Sequence, residues 1–271
     1  MIASKEFVIR KLTELITNPK KKYSQNFLID STPVKKAIDA LNKDSELVLE
    51  IGPGLGALSE EILNRGYNLV AFEIDQIMIN HLKDQFKNRL FTLIEGDFLK
   101  QDLKNYQNKN VSVISNLPYA LTTPIIEKII TAKLCINEFV FMIQKEVEQR
   151  LRAKNNTKDC SPLSYMFEYL GKLEQVCKVN RSAFLPAPNV DSVILKLTFN
   201  QNRDFEKEKA LYKLLNASFK MRRKTIYNNL LTYFGSKEKT EEVLTSADIA
   251  LNKRPEQLSL KDYLNILKFN K

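Results

Sequence analysis

The β-rich run VSVISN ends at Asn116-Leu117-Pro118-Tyr119, where an amide, a prolyl peptide carbonyl and a phenol ring fall on consecutive residues. That set suits alkylation of an exocyclic amine on a nucleobase, a poor nucleophile because its lone pair is delocalised into the ring. The Asn116 side-chain oxygen and the carbonyl of the Leu117-Pro118 peptide can each accept an N–H of such an amine. Together they pull the nitrogen towards tetrahedral geometry and aim its lone pair at a sulfonium methyl group. Tyr119 can stack on the base, a contact worth about 1–3 kcal/mol. No general base is required, because the proton on the alkylated amine is acidic enough to leave to water. An Asn-Pro loop after a strand is by itself usually a turn, so its weight comes from the other strand ends.

The run LVLEI leads straight into Gly52-Pro53-Gly54-Leu55-Gly56 and then a helical pattern, so bare backbone faces the edge of a sheet where a nucleoside can approach. Glu73 closes the next run, roughly 20 residues on, where a carboxylate can accept hydrogen bonds from both ribose hydroxyls. Gly52, Gly54 and Ala57 also satisfy the G-x-G-x-x-G/A dinucleotide fingerprint, so a nicotinamide enzyme stays open on this turn alone. Glu95-Gly96-Asp97 ends the third run and places Asp97 to accept from an adenine amino group of the cofactor. The Asn116 loop, after the fourth run, tips the balance towards methyl transfer.

Positioning these tips requires a sheet. Between Leu47 and Phe199, LVLEIG, NLVAFEID, LFTLIEGD, VSVISN, EFVFMIQ, LEQVCKV and SVILKLTF alternate with amphipathic segments, which predicts an α/β fold with a doubly wound, mostly parallel sheet. Helices are expected over 57–65, 76–87, 123–133 and 162–170, with Gly66 and Gly171 as stops. The last two runs have no helical pattern between them and should pair as an antiparallel hairpin at the sheet edge. Val8, Leu12, Leu15 and Ile16 recur at helical spacing ahead of the sheet, followed by Lys20, Lys21 and Lys22. Beyond the polar linker 200–204 the pattern is wholly helical. The expected division is a catalytic domain over 1–200, with an N-terminal helical extension, and a small all-α domain over 205–271.

With 271 residues, 44% hydrophobic and 27% charged, the composition is that of a globular protein. No apolar stretch reads as a secretion signal or a membrane span. Cys135, Cys160 and Cys177 are widely spaced and unpaired, which argues against a disulfide framework and a zinc site. A reducing cytoplasm is the expected location. His81 is the single histidine, so histidine-based triads and metal clusters are nearly excluded. His81 itself reads as a surface residue of the polar stretch 80–86. Lys and Arg outnumber Asp and Glu by 42 to 32, a net charge of +10 that suits a polyanionic partner and that compositional drift explains equally well.

Several separated motifs together resemble the rRNA adenine N6 dimethyltransferase family, from Tyr23 almost to the C-terminus. Besides EIGPGLGALS and NLPY they are SQNFLID from Ser24, FLPAPNVDS from Phe184, and FKMRRKT from Phe219 with NNL at 228–230. The resemblance implies a Rossmann-like class I methyltransferase using S-adenosylmethionine, held by Asn26, Leu28, Gly52, Gly54, Glu73, Ile74, Asp97, Phe98 and Asn116. It implies catalytic roles for Asn116, Leu117, Pro118 and Tyr119. Phe184 would form the opposite face of a stacking sandwich with Tyr119, against the alternative of a core aromatic at a strand end. It implies Lys220, Arg222, Arg223 and Lys224 as an RNA-binding surface, where the charges alone would read as a solvated helix face.

The implied product is dimethyladenosine at two neighbouring adenines of 16S rRNA within the small ribosomal subunit, made during ribosome biogenesis by a monomer without metal or membrane. The family usually has Gly before the Gln of the first motif. Ser24 stands there instead and restricts that loop's backbone. Two relatives of this reading remain: a large-subunit methyltransferase of the antibiotic-resistance type, which RRKT and NNL disfavour, and a non-catalytic assembly factor, against which the intact NLPY speaks.

Overall fold

A computed structural model describes residues 1–87, 89–107, 109–118 and 121–270. The elements follow in order as α1 (Lys5–Glu14), β1 (Phe27–Leu28), α2 (Ser31–Asp39), β2 (Leu47–Ile51), α3 (Ala57–Asn64), β3 (Leu69–Glu73), α4 (Gln76–Gln85), β4 (Phe91–Glu95), β5 (Val111–Asn116), α5 (Thr122–Thr131) and β6 (Ile136–Gln144). They continue as α6 (Lys145–Leu151), α7 (Pro162–Leu170), β7 (Gly171–Val179), β8 (Phe184–Leu185), β9 (Ser192–Phe199), α8 (Phe205–Ser218), α9 (Ile226–Phe234), α10 (Lys237–Ser246) and α11 (Leu260–Phe269).

Seven strands form one sheet in the order β4-β3-β2-β5-β6-β9-β7. The pairs β2·β3, β2·β5, β3·β4 and β5·β6 are parallel, and β9 runs antiparallel to β6. Every residue of β2 and β3 is buried, as expected of parallel strands covered on both faces, whereas the edge strand β4 is half-buried. The direction of winding reverses between β2 and β5, and the register sets Ile51 beside Ser115 there. Gly52 and Asn116, each one residue further, therefore meet at the switch point, where ligands of doubly wound sheets bind.

Contacts divide the chain into two compact units, Met1–Lys145 with Leu173–Phe199 and Glu146–Lys172 with Asn200–Lys271. The helical unit thus begins before the sheet is complete. Helix α7, which the sequence pattern places within residues 1–200, sends the Tyr165 hydroxyl to the Leu258 carbonyl and sets its ring edge-on to Tyr263 at 5.0 Å. A short apolar helix between two strands reads as a crossover, and only these distant partners reveal its allegiance. Arg203, in the stretch read as a linker, forms a buried two-pronged ion pair with Glu208, with contacts of 2.9 and 2.6 Å.

Two further expectations are corrected. Helix α1 stops at Glu14, and Ile16 lies beyond it, 93% exposed and at φ 48°. His81 is buried, on the same face of α4 as Met78 and Leu82. Its Nε2 sits 3.3 Å from the Leu55 carbonyl oxygen, which can only accept, so the nitrogen donates. Burial lowers the pKa of the ring, which favours the neutral form.

Candidate functional site

Ten of the expected site residues converge on one cleft in the sheet unit, about 1100 Å³ including its open mouth: Asn26, Leu28, Gly52, Gly54, Glu73, Ile74, Asp97, Phe98, Asn116 and Pro118. The strand ends supply most of them, which is why motifs far apart in sequence meet. Gly52 adopts φ +69°, and a Cβ built on it would meet nothing within 4 Å. The missing side chain thus leaves ligand space. Gly56 is glycine for a different reason. At φ +90° its Cβ would fall 2.8 Å from the Phe86 ring, so it permits close packing of the turn on α4.

Glu73 is clamped by the main chain. One carboxylate oxygen accepts from Gly54 N–H at 3.0 Å, and the other from Ile74 and Asp75 N–H at 2.9 and 2.8 Å. Burial raises its pKa, and the three amides offset only part of that. A carboxylate offers about four lone-pair sites, so it retains room for a ribose hydroxyl.

Asp97 caps the short turn 98–100 through Leu99 N–H at 2.9 Å. Behind it Phe98 is buried edge-on against Phe72, with ring centroids 5.1 Å apart, and lies under the Lys128 ammonium at 5.4 Å. Lys128 in turn donates to the Leu99 and Gln101 carbonyls, both at 2.7 Å, and so fixes the loop that carries Asp97.

Asn116 donates from Nδ2 to the Asn26 carbonyl at 3.3 Å, tying the tip of β5 to the loop before β1, and the Ser115 hydroxyl donates to Ile51 O at 2.7 Å, joining the tips of β5 and β2. Asn26 itself donates to the Ser24 carbonyl at 3.0 Å. Ser24 has φ 51° and ψ 38°, the left-handed region that glycine adopts without cost, which accounts for glycine in the family's pattern. Leu117 is buried, with its N–H on the Met142 carbonyl at 3.1 Å. Tyr119 lies outside the described residues.

Phe184 departs from its expected role. It is 2% exposed, packs in the hydrophobic core of the sheet unit, pairs across β1·β8 with Leu28, and does not line the cleft. Its aromatic face is covered by core atoms, so the alternative of a core aromatic at a strand end describes its position. The basic residues Lys220, Arg222, Arg223 and Lys224 are exposed, but on the turn between α8 and α9 rather than on a helix. Buried Asn229 holds that turn. Its Oδ1 accepts from Met221 N–H at 2.8 Å, and its Nδ2 donates to the Met221 and Thr225 carbonyls, each at 3.1 Å. The Arg222 guanidinium donates to the Lys158 carbonyl.

Four contributors to the cleft or its frame escaped the sequence reading. Glu50 lines the cleft and is fully buried. It accepts from the Ser59 hydroxyl at 2.5 Å, while its Oε1 has no partner. Burial, with the nearby Glu73 charge, pushes its pKa up to about 8. A charged residue inside the otherwise apolar LVLEI was the available signal. Asp75 caps α4 and binds Lys20 at 2.6 Å and Gln25 at 2.8 Å, anchoring the loop before β1. Burial pushes its pKa up, yet these partners hold it below the usual range. Ile2 and Val8 bring the N-terminal segment onto the cleft wall.

The cleft fits S-adenosylmethionine: apolar walls for a nucleoside, open space at Gly52, an anchored carboxylate at Glu73, and an orphaned buried oxygen on Glu50 for a polar or cationic group.

Comparison with known proteins agrees with this geometry. The family described as "Ribosomal RNA adenine dimethylase" matches residues 16–271. A "Ribosomal RNA small subunit methyltransferase A" of Streptococcus gordonii is 40% identical over 255 residues, covering 89% of this chain and 88% of that protein. Its counterpart in Mycoplasmopsis pulmonis is 37% identical, covering 81% and 86%. Among solved structures, a dimethyladenosine transferase from Plasmodium falciparum superposes with a TM-score of 0.72 at 29% identity, covering 90% of this chain and 97% of that one. A 23S rRNA methyltransferase shares the fold, with a TM-score of 0.63 at 23% identity, covering 90% and 99%. With this match across most of its length, and a cleft shaped for the methyl donor S-adenosylmethionine, the chain belongs to the ribosomal RNA adenine dimethylase family and is an rRNA methyltransferase.

Proposed function

We propose that the protein dimethylates N6 of two adjacent adenines of 16S rRNA in the cytoplasm, acting as a monomer on the assembling small ribosomal subunit. The observation that carries this reading is the meeting of Asn116 and Pro118 with Gly52, Glu73 and Asp97 in one cleft. S-adenosylmethionine supplies a methyl group on a positively charged sulfur, chemistry that needs neither a metal nor a covalent enzyme intermediate. Glu73 would hold the ribose, Asp97 and Phe98 the adenine, and Asn26, Leu28, Gly52, Gly54 and Ile74 the rest of the nucleoside.

Asn116, fixed through its Nδ2, would present Oδ1 to one N6–H of the target, and the Leu117 carbonyl would take the other. Orientation then supplies most of the rate, and the proton passes to water. Tyr119 would stack on the base. The turn bearing Lys220, Arg222, Arg223 and Lys224 would contact phosphates, and the target adenine would leave its stack at a cost of a few kcal/mol.

Incubating the protein and labelled S-adenosylmethionine with hypomethylated small or large subunits, followed by mass spectrometry of the rRNA nucleosides, tests the assignment. Label in N6,N6-dimethyladenosine of small-subunit rRNA is expected. Label confined to the large subunit would favour the antibiotic-resistance type.

A further inference from the structure

Beside the cleft lies a second concavity in the sheet unit. It is an open groove between α1 and the residues after β8, walled by Ile9, Leu12, Ile16, Pro19, Leu185 and Pro186. It shares walls with the cleft. Val8 faces the cleft while Ile9 and Leu12 of the same helix face the groove, and Phe27 of β1 lines the cleft while its strand partner Leu185 lines the groove.

The lip of the groove is unusual. After α1 the Thr17 N–H bonds the Leu12 carbonyl and the Ile16 N–H bonds the Thr13 carbonyl, each at 3.0 Å, a helix ending whose left-handed position normally carries glycine. Here that position is Ile16, a β-branched residue at φ 48° and 93% exposed. An apolar side chain held in a disfavoured backbone conformation and presented to solvent marks a place where function opposes stability. The chain leaving the groove wall at Pro19 carries exposed Lys21 and Lys22, whereas Lys20 is paired with Asp75 and both Arg10 and Lys11 with Glu14. Helix α1 lies outside the stretch 16–271 that matches the family.

We propose that this groove receives an unstacked base of the substrate rRNA flanking the reacting adenine, with Ile16 as the wedge against that base and Lys21 and Lys22 at its phosphates. The inference rests on the rRNA reading of the cleft. An apolar slot with a cationic rim suits a splayed single-stranded nucleotide, whose base seeks an apolar face and whose phosphate seeks positive charge. Asn18 lines the same groove and can meet the base's polar edge.

The substitution Ile16→Gly separates docking from folding, because glycine relaxes the backbone at that position while removing the wedge. A second variant, Ile9→Ser, alters an exposed groove residue. Steady-state methylation of hypomethylated small subunits should show KM for the subunit raised roughly tenfold in either variant. The kcat, the affinity for S-adenosylmethionine and, for Ile16→Gly, the melting temperature should not fall. Unchanged KM in both variants overturns the proposal while leaving the rRNA reading intact. So does a parallel loss of S-adenosylmethionine affinity, or a wild-type dimer that Ile16→Gly dissolves. Failure of the wild type to methylate small subunits would sink the rRNA reading itself.

Discussion

Asn116 and Asn26, ninety residues apart, are joined by a hydrogen bond from the Asn116 side-chain amide to the Asn26 carbonyl at 3.3 Å. The bond ties the tip of β5 to the loop before β1 and fixes which end of the Asn116 amide faces away from that loop. An Asp at 116 would keep the shape but set a carboxylate against a carbonyl. Asn116→Asp is therefore expected to lower kcat by about 10²–10³, as for loss of one preorganised hydrogen bond, with S-adenosylmethionine affinity changed less than tenfold. Single-turnover methylation alongside calorimetric titration measures both.

The two glycines of the turn should fail differently. Gly56→Ala places a Cβ against Phe86, and strain plus overpacking should cost about 2–4 kcal/mol of stability. Gly52→Ala meets no protein atom, so it should cost about 1–2 kcal/mol of backbone strain and at least tenfold in S-adenosylmethionine affinity. Denaturant unfolding and calorimetry of the two variants separate these outcomes, and equal stability losses would contradict the assignment of Gly52 to ligand space.

Glu50 gives the ligand-free protein a pH dependence. Burial holds its proton up to about pH 8, whereas the unfolded chain releases it near the ordinary 4.5. Its stabilising contribution is thus complete below pH 4.5 and is lost as pH rises towards 8. Glu50→Gln should flatten this slope, so that the variant gains on the wild type by a few kcal/mol between pH 5 and 8. Urea unfolding across that range checks the sign.

The basic turn makes a salt-dependent prediction. Arg223→Ala should weaken binding to hypomethylated small subunits and reduce the slope of log affinity against log salt by about 0.7, the value for one phosphate contact on a single strand. Asn229→Ala should cost about 1–3 kcal/mol of stability, because it orphans the buried groups that hold the turn. Filter binding over a salt series, with unfolding measured in parallel, tells the two effects apart.

The sheet could be read from the sequence because β2, β3, β4 and β5 are short apolar runs closed by Gly, Glu, Asp or Asn, and those closing residues are the ones that meet in the cleft. Glu73, Asp97 and Asn116 were legible for that reason. Positions decided by tertiary packing were not. His81 is polar by type, yet one turn after Met78 it falls on the buried face of α4. Phe184 carries the same letter whether it stacks on a base or fills a core. Helix α7 sits between two strands in sequence, but hydrogen-bonds through Tyr165 to Leu258, ninety-three residues on.

The most searching measurement is the yield of N6,N6-dimethyladenosine, by mass spectrometry, from hypomethylated small subunits incubated with labelled S-adenosylmethionine and either wild-type protein or Asn116→Ala. The geometry at the tip of β5 predicts labelled dimethyladenosine with the wild type, and none above background with a folded, cofactor-binding variant. An Asn116→Ala protein that methylates at the wild-type rate would contradict it.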